Sequence, residues 1–173
     1  MMSVVRQAAS ILVLCAFAAT LAGTSGGASD HRITQKVIGG ATLGLSRSAY
    51  IRAFGKPSFT SRFGHGLKRM VYANREFAVY LSRRGRGIAV LTSAKEYRTH
   101  AGVGPCSKIR ALKKAYRGRL VAVRRAGHIV AYRLRRLLFV AQAGQVGAVM
   151  LSNSAFPASV AVNAGQCGGG EEG

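Results

Sequence analysis

Residues 44–57 read GLSRSAYIRAFGKP, and the way this stretch folds decides how the chain around it must be arranged. Leu45, Ala49, Tyr50, Ala53 and Phe54 fall on one side at 3.6 residues per turn, with Arg47, Ser48 and Arg52 opposite. Ser46 offers an oxygen to the free N–H groups of a first turn, and Leu45 is placed to staple onto Tyr50. Gly55 and Pro57 then stop the helix. The product is a short amphipathic helix, and such a helix needs a flat apolar surface to lie on.

The following residues supply it. LKRMVYA (67–73), EFAVYLS (76–82) and GIAVLTS (87–93) are short β-rich runs separated by NR and RRGRG, which are turn material. Met70 and Tyr72 share one face, as do Phe77, Val79 and Leu81. The connectors are too short for a parallel crossover, so the pairing is antiparallel. The same order then returns. In CSKIRALKKAYRG (106–118), Ile109, Leu112 and Tyr116 line one side, with Lys108, Lys113, Lys114 and Arg117 near the other. Ser107 is the expected cap and Gly118 the stop. After it come RLVAVRR, HIVAYRL, RLLFVAQ and VGAVMLS, strand-like runs joined by RAG and AGQ turns. The expected fold class is α+β: two helix-plus-antiparallel-sheet repeats with short helices packed on sheet. The first covers residues 38–100 and the second 101–167, with Gly102 and Gly104 as a flexible joint.

Gly44-Leu45-Ser46, then Ile51, then Phe54-Gly55-Lys56-Pro57 resembles the "lGMT…V…lGkP" phrase of the BamE (SmpA/OmlA) envelope proteins. The same small fold, doubled, is that of the β-lactamase inhibitor protein family. The resemblance implies a helical segment on a three- or four-stranded antiparallel sheet, and a non-enzymatic protein-binding or envelope module. The chain departs from these families in having Ser46 for threonine, no lipid-anchor cysteine, no Trp and few acids.

Residues 1–29 have the layout of a secretory signal peptide: Arg6, the apolar run ILVLCAFAATLAG, then small residues. The run is shorter than the roughly 20 residues that span a membrane, and no second one follows. The expected mature protein is exported, to the periplasm, cell envelope or medium, without a transmembrane segment. It opens with a polar lead-in at 30–37 and closes with a flexible tail at 168–173. Loss of the leader removes Cys15 and leaves Cys106 and Cys167, an even pair in an oxidising compartment. A disulfide between them would close a loop of about 60 residues and contribute on the order of 4 kcal/mol by chain entropy.

The formal net charge is +21, from 26 Lys and Arg against five acids, and 19 of the 26 are arginine. Arg forks match phosphate and carboxylate geometry. Such a surface favours an acidic protein, an anionic envelope polymer or lipid surface, or nucleic acid held without sequence preference. The arginines gather at turns and strand ends: Arg83, Arg84 and Arg86 on one hairpin tip, and Arg117, Arg119, Arg124, Arg125, Arg133, Arg135 and Arg136 in the second half. Hairpin tips on a rigid sheet are where binding residues are often presented.

Catalytic signatures are hard to find. GGATLGLS (39–46) has P-loop glycine spacing, but Leu45 stands at the lysine position. GVGPCS (102–107) lacks the acid about 20 residues on that a dinucleotide ribose requires. Only Glu76 and Glu96 lie inside the expected folded body, and His31, His65, His100 and His128 are scattered over loops with no metal-ligand spacing. No catalytic residue, cofactor or metal is expected. The leading reading is therefore an exported, non-enzymatic binding or scaffolding module that presents basic hairpins to an acidic partner. The alternatives are a secreted nucleic-acid or anionic-polymer binder and a thiol-dependent enzyme using Cys106 with His100 or His128.

Overall fold

The computed structural model describes residues 30–63 and 66–153; the leader, Cys15, His65, Cys167 and the tail at 168–173 lie outside them. Three two-residue strands open the described chain: β1 (Arg32–Ile33), β2 (Val37–Ile38) and β3 (Ala41–Thr42). Thr34 folds β1 back onto β2, its hydroxyl accepting from the Lys36 and Val37 N–H groups at 3.1 and 3.0 Å. Helix α1 (Arg47–Phe54) follows, and Ser46 caps it as expected, its Oγ accepting from Ala49 N at 3.2 Å.

From residue 59 the period switches from 3.6 to 2, and four strands run as a meander: β4 (Phe59–Phe63), β5 (Leu67–Tyr72), β6 (Phe77–Leu81) and β7 (Gly87–Thr92). A short strand, β8 (Arg98–Thr99), pairs parallel to β1 and completes a four-stranded sheet in the order β3-β2-β1-β8. Helix α2 (Ile109–Ala115) comes next. Ser107 does not cap it. Lys108 holds the cap position without a side-chain bond, and the Ser107 Oγ instead accepts the Gly104 N–H at 3.0 Å. A second meander closes the described chain: β9 (Val121–Arg125), β10 (His128–Leu134), β11 (Leu137–Gln142) and β12 (Gln145–Ser152).

The two meanders are one sheet. β12 pairs antiparallel with β7, Val149 opposite Thr92 and Ser152 opposite Ala89, giving the order β4-β5-β6-β7-β12-β11-β10-β9. This corrects the expected α+β class of two helix-plus-antiparallel-sheet repeats. The described residues are mostly strand, in one eight-stranded and one four-stranded sheet, with two α-helices of eight and seven residues. The physical reason lies in β7 and β12. Both are buried along nearly their whole length, so neither tolerates being an edge, and pairing them removes two edges at once.

Both faces of the large sheet are apolar. On one face lie α1, α2 and the small sheet: Tyr50, Leu112, Ile33 and Ile38 pack with Met70, Tyr72, Val79, Phe139 and Leu151. Phe54 meets the rings of Phe77 and Tyr72 edge-on at 5.2 and 5.8 Å between centroids. On the other face, Ala78, Tyr80, Ala89, Leu91, Leu138, Val140, Ala148 and Met150 form a second buried cluster. That is why FAVYL and GIAVLT read as unbroken apolar runs rather than alternating ones.

Gly104 is not a flexible joint. It is buried, and a Cβ there would come within 1.9 Å of the Tyr97 carbonyl oxygen. The Arg98 guanidinium also braces this corner, donating to the Pro105 carbonyl at 2.6 Å.

Candidate functional site

Successive turns of a meander point to alternate ends of its sheet, so register decides which charges meet. The β6–β7 turn carries Arg83, Arg84 and Arg86, all exposed. Ser152 N donates to the Arg136 carbonyl on the β11 side of β12 at 3.0 Å, and across the β7–β12 seam Asn153 N donates to the Ile88 carbonyl at 3.1 Å. These bonds put the β10–β11 turn, with exposed Arg135 and Arg136, at the same end as the β6–β7 turn. Arg133 on β10 pairs with Val121 close to that end, where the chain arrives from the loop bearing Arg117 and Arg119. Arg124 and Arg125 are separated from the rest: the β9–β10 turn points the opposite way. Eight of the ten arginines singled out from sequence thus belong to one end of the sheet, and two do not.

Individual side chains differ in what they do there. Arg86 is partly structural, its Nη1 donating to the Gly44 carbonyl at 3.3 Å and tying the tip to the start of α1. Arg83 lies along Gly66 in the neighbouring β4–β5 turn, where a Cβ would meet its Nε at 2.9 Å. The Arg119 guanidinium sits 5.5 Å from the Tyr116 ring centroid. Arg124 donates to Gly127 O at 3.1 Å, closing its own hairpin. Sequence reasoning passed over three further cations of this end. Arg62 pairs with Lys68, and Lys68 with Leu81 beside the tip, while Lys36 follows Gln35, which bonds both Leu134 O and Arg136 N. Arg62 and Lys68 sit within strands and Lys36 in the lead-in, so no local run of charge marked them. A cleft of about 560 Å³ beside α2 adds Arg110, Lys113 and Lys114, with Lys113 Nζ 5.3 Å from the Tyr132 ring centroid.

The acids sit elsewhere. Asp30, Glu76 and Glu96 are the carboxylates among the described residues, and all three bear on Tyr97. Burial pushes the Tyr97 phenol up to about 12, with the charges of Glu76, Asp30 and Glu96 adding to it and Arg75 opposing. The Tyr97 hydroxyl donates to the Arg75 carbonyl in the β5–β6 turn, and the His31 ring stands edge-on to it at 4.9 Å. The β5–β6 turn is at the end opposite the basic tips, since Phe77 pairs with Thr92. The ion pair seen among the described residues, Arg32 Nε to Asp30 Oδ1 at 3.9 Å, joins this acidic corner. Charge is therefore segregated along the strands, with no described carboxylate beside the arginine tips.

Cys106 is disulfide-bonded, and its expected partner Cys167 lies outside the described residues. His100 and His128 are exposed, and the described residues hold no group of three or more His, Cys, Asp and Glu suited to a metal. No helix among the described residues is long and apolar enough to cross a membrane.

No family model, curated protein or solved structure matches the chain, so the likeness to the BamE and inhibitor families rests on the sequence phrase alone.

Proposed function

We propose that the protein is an exported, non-enzymatic binding module whose basic end holds an extended acidic partner at the cell envelope or outside it. The observation that carries this reading is the convergence of the Arg83–Arg86 and Arg135–Arg136 turns at an end with no described carboxylate. Three strand spacings of roughly 4.8 Å separate those two turns, so the tips stand about 15 Å apart. At physiological salt the Debye length is only about 8 Å, so each tip must be satisfied by its own anionic groups. A small anion reaches one tip. An acidic protein face or an anionic envelope polymer reaches both. A disulfide from Cys106 to Cys167, as expected from the sequence, would fit the same reading, as a staple suited to an oxidising compartment.

Binding of the full mature chain to poly-L-glutamate and to a random-sequence DNA duplex of equal charge, between 50 and 300 mM salt, tests this choice. The expected result is tighter binding to the polypeptide at every salt concentration. Preference for the duplex, with a steep salt slope, would favour the nucleic-acid reading. Equal and negligible binding to both would remove the acidic-partner reading altogether.

A further inference from the structure

The large sheet ends on an open strand. β9 pairs with β10 along one side, and no described strand pairs with the other, so alternate backbone N–H and C=O groups of Val121–Arg125 point outward. Val121 is 64% exposed, and Ala122, Arg124 and Arg125 are exposed with it. The two faces of this strand differ in chemistry. Ala122 stands opposite Tyr132, a member of the helix-side core, so Ala122 and Leu120 face α2. Val123 stands opposite Ala131 of the other apolar face, and Val121 shares that side.

The cleft beside α2 opens along the first of these faces. Leu120, Ala122 and Tyr132 give it an apolar side, and Arg110, Lys113, Lys114 and Arg117 line the rest. Among the described residues no ion pair engages any of these four cations. We infer that β9 is a docking edge for an extended acidic segment of another protein, which joins the sheet as a ninth strand with its carboxylates on the cleft side. An added strand lies about 4.8 Å beyond β9 and alternates its side chains as β9 does. Every second residue then projects toward the cations of α2, and the residues between them lie beside Val121 and Val123. The sequence that fits therefore alternates acid and apolar.

Charge decides between this occupant and a second copy. Two copies meeting edge to edge would crowd both sets of cleft cations, with Arg124 and Arg125 of each, and no described carboxylate stands near them. The charge that excludes self-pairing selects an acidic strand. The register shift between Ile129 and Ala131 bends the far half of the β9–β10 pair, which centres the docking register on Val121–Val123. The opposite edge, β4, carries one cation, Arg62, in FTSRF. A polyglutamate chain fits β9 poorly, because every second carboxylate would rest on Val121 or Val123. This surface is also about 19 Å, four strand spacings, from the Arg83–Arg84 turn. It goes beyond the basic end, and the two proposals fail independently.

Two peptides of identical composition test it on the oxidised mature chain: one of four Glu-Val pairs in alternation, the other with all its glutamates before its valines. At about 0.15 M salt the alternating peptide is expected to bind at least tenfold tighter, and to slow amide hydrogen exchange in residues 121–125. Equal affinity for the two peptides, negligible binding of both, or unchanged exchange in 121–125 would overturn the inference. Lys114→Glu and Val121→Lys alter exposed side chains, so each should keep the parent's urea midpoint while weakening the alternating peptide at least fivefold. Full affinity in both variants would count against the docking edge. Joint substitution Arg83→Glu and Arg84→Glu should lower poly-L-glutamate binding and leave the alternating peptide within threefold. Equal loss of both ligands would move the peptide to the basic end and overturn the assignment to β9.

Discussion

The Tyr50 hydroxyl ties α1 to the small sheet by donating to the Thr42 carbonyl, and the Tyr97 hydroxyl ties the chain before β8 to the large sheet by donating to the Arg75 carbonyl. Burial pushes both phenols up to about 12, with a contribution at Tyr50 from neighbouring Tyr72, itself raised by burial. In the unfolded chain these groups ionise near 10. Between those values the unfolded state binds fewer protons than the folded one, so stability falls as pH rises from about 10 to 12, and the tyrosines change nothing below about 9. A denaturant midpoint that declines over that interval, together with tyrosinate absorbance appearing late for these phenols, is the expected record. A midpoint rising over the same interval would contradict the assignment. Two glycines mark the tightest packing. A Cβ on Gly87 would come within 2.0 Å of the Tyr50 hydroxyl, and one on Gly104 within 1.9 Å of a backbone oxygen. Gly104→Ala is therefore expected to lose at least about 1–3 kcal/mol, read as a lowered urea midpoint with unchanged slope. Sequence alone shows glycines at both positions but not that neighbours press on them; that knowledge requires the partner atoms.

At the scale of elements, α1 is a helix of eight residues whose cap is a single serine. Ser46→Ala should cost about 1 kcal/mol in thermal or urea unfolding, since Ala49 N–H loses its partner at the helix start. This helix, its cap and its glycine stop were legible because they follow from residue chemistry within one turn. The strands β5, β6, β7 and β9–β12 were legible too, from their β-branched and aromatic runs. The small sheet was not: its strands are two residues each and have no period to read. β4 escaped as well, since FTSRF pairs only through β5 and its exposed Phe59 looks like loop. The misread cap at Ser107 has a similar cause. A serine before a helix satisfies whichever N–H comes near it, and here Gly104 folds back to be that donor.

For the whole molecule, the decisive contact is the β7–β12 seam, and no local pattern specifies it. Each meander fixes its own alternation of turns, so Arg124–Arg125 and Arg135–Arg136 were bound to point opposite ways. Which of those turns joins Arg83–Arg86 depends on how the meanders abut, and that is a long-range choice made by burial of two apolar strands. The ten arginines were visible as a list; their division into eight and two was not. The division can be tested directly. Charge reversal at Arg83, Arg84, Arg135 and Arg136 removes four positive tips from one end, while reversal at Arg124 and Arg125 alters the other end, and all six side chains are exposed. With the affinity for poly-L-glutamate measured at about 0.15 M salt for both variants, the first is expected to lose at least tenfold and the second less than threefold. Equal losses per charge in the two variants would show that binding follows net charge alone, and would contradict a basic end built by the seam.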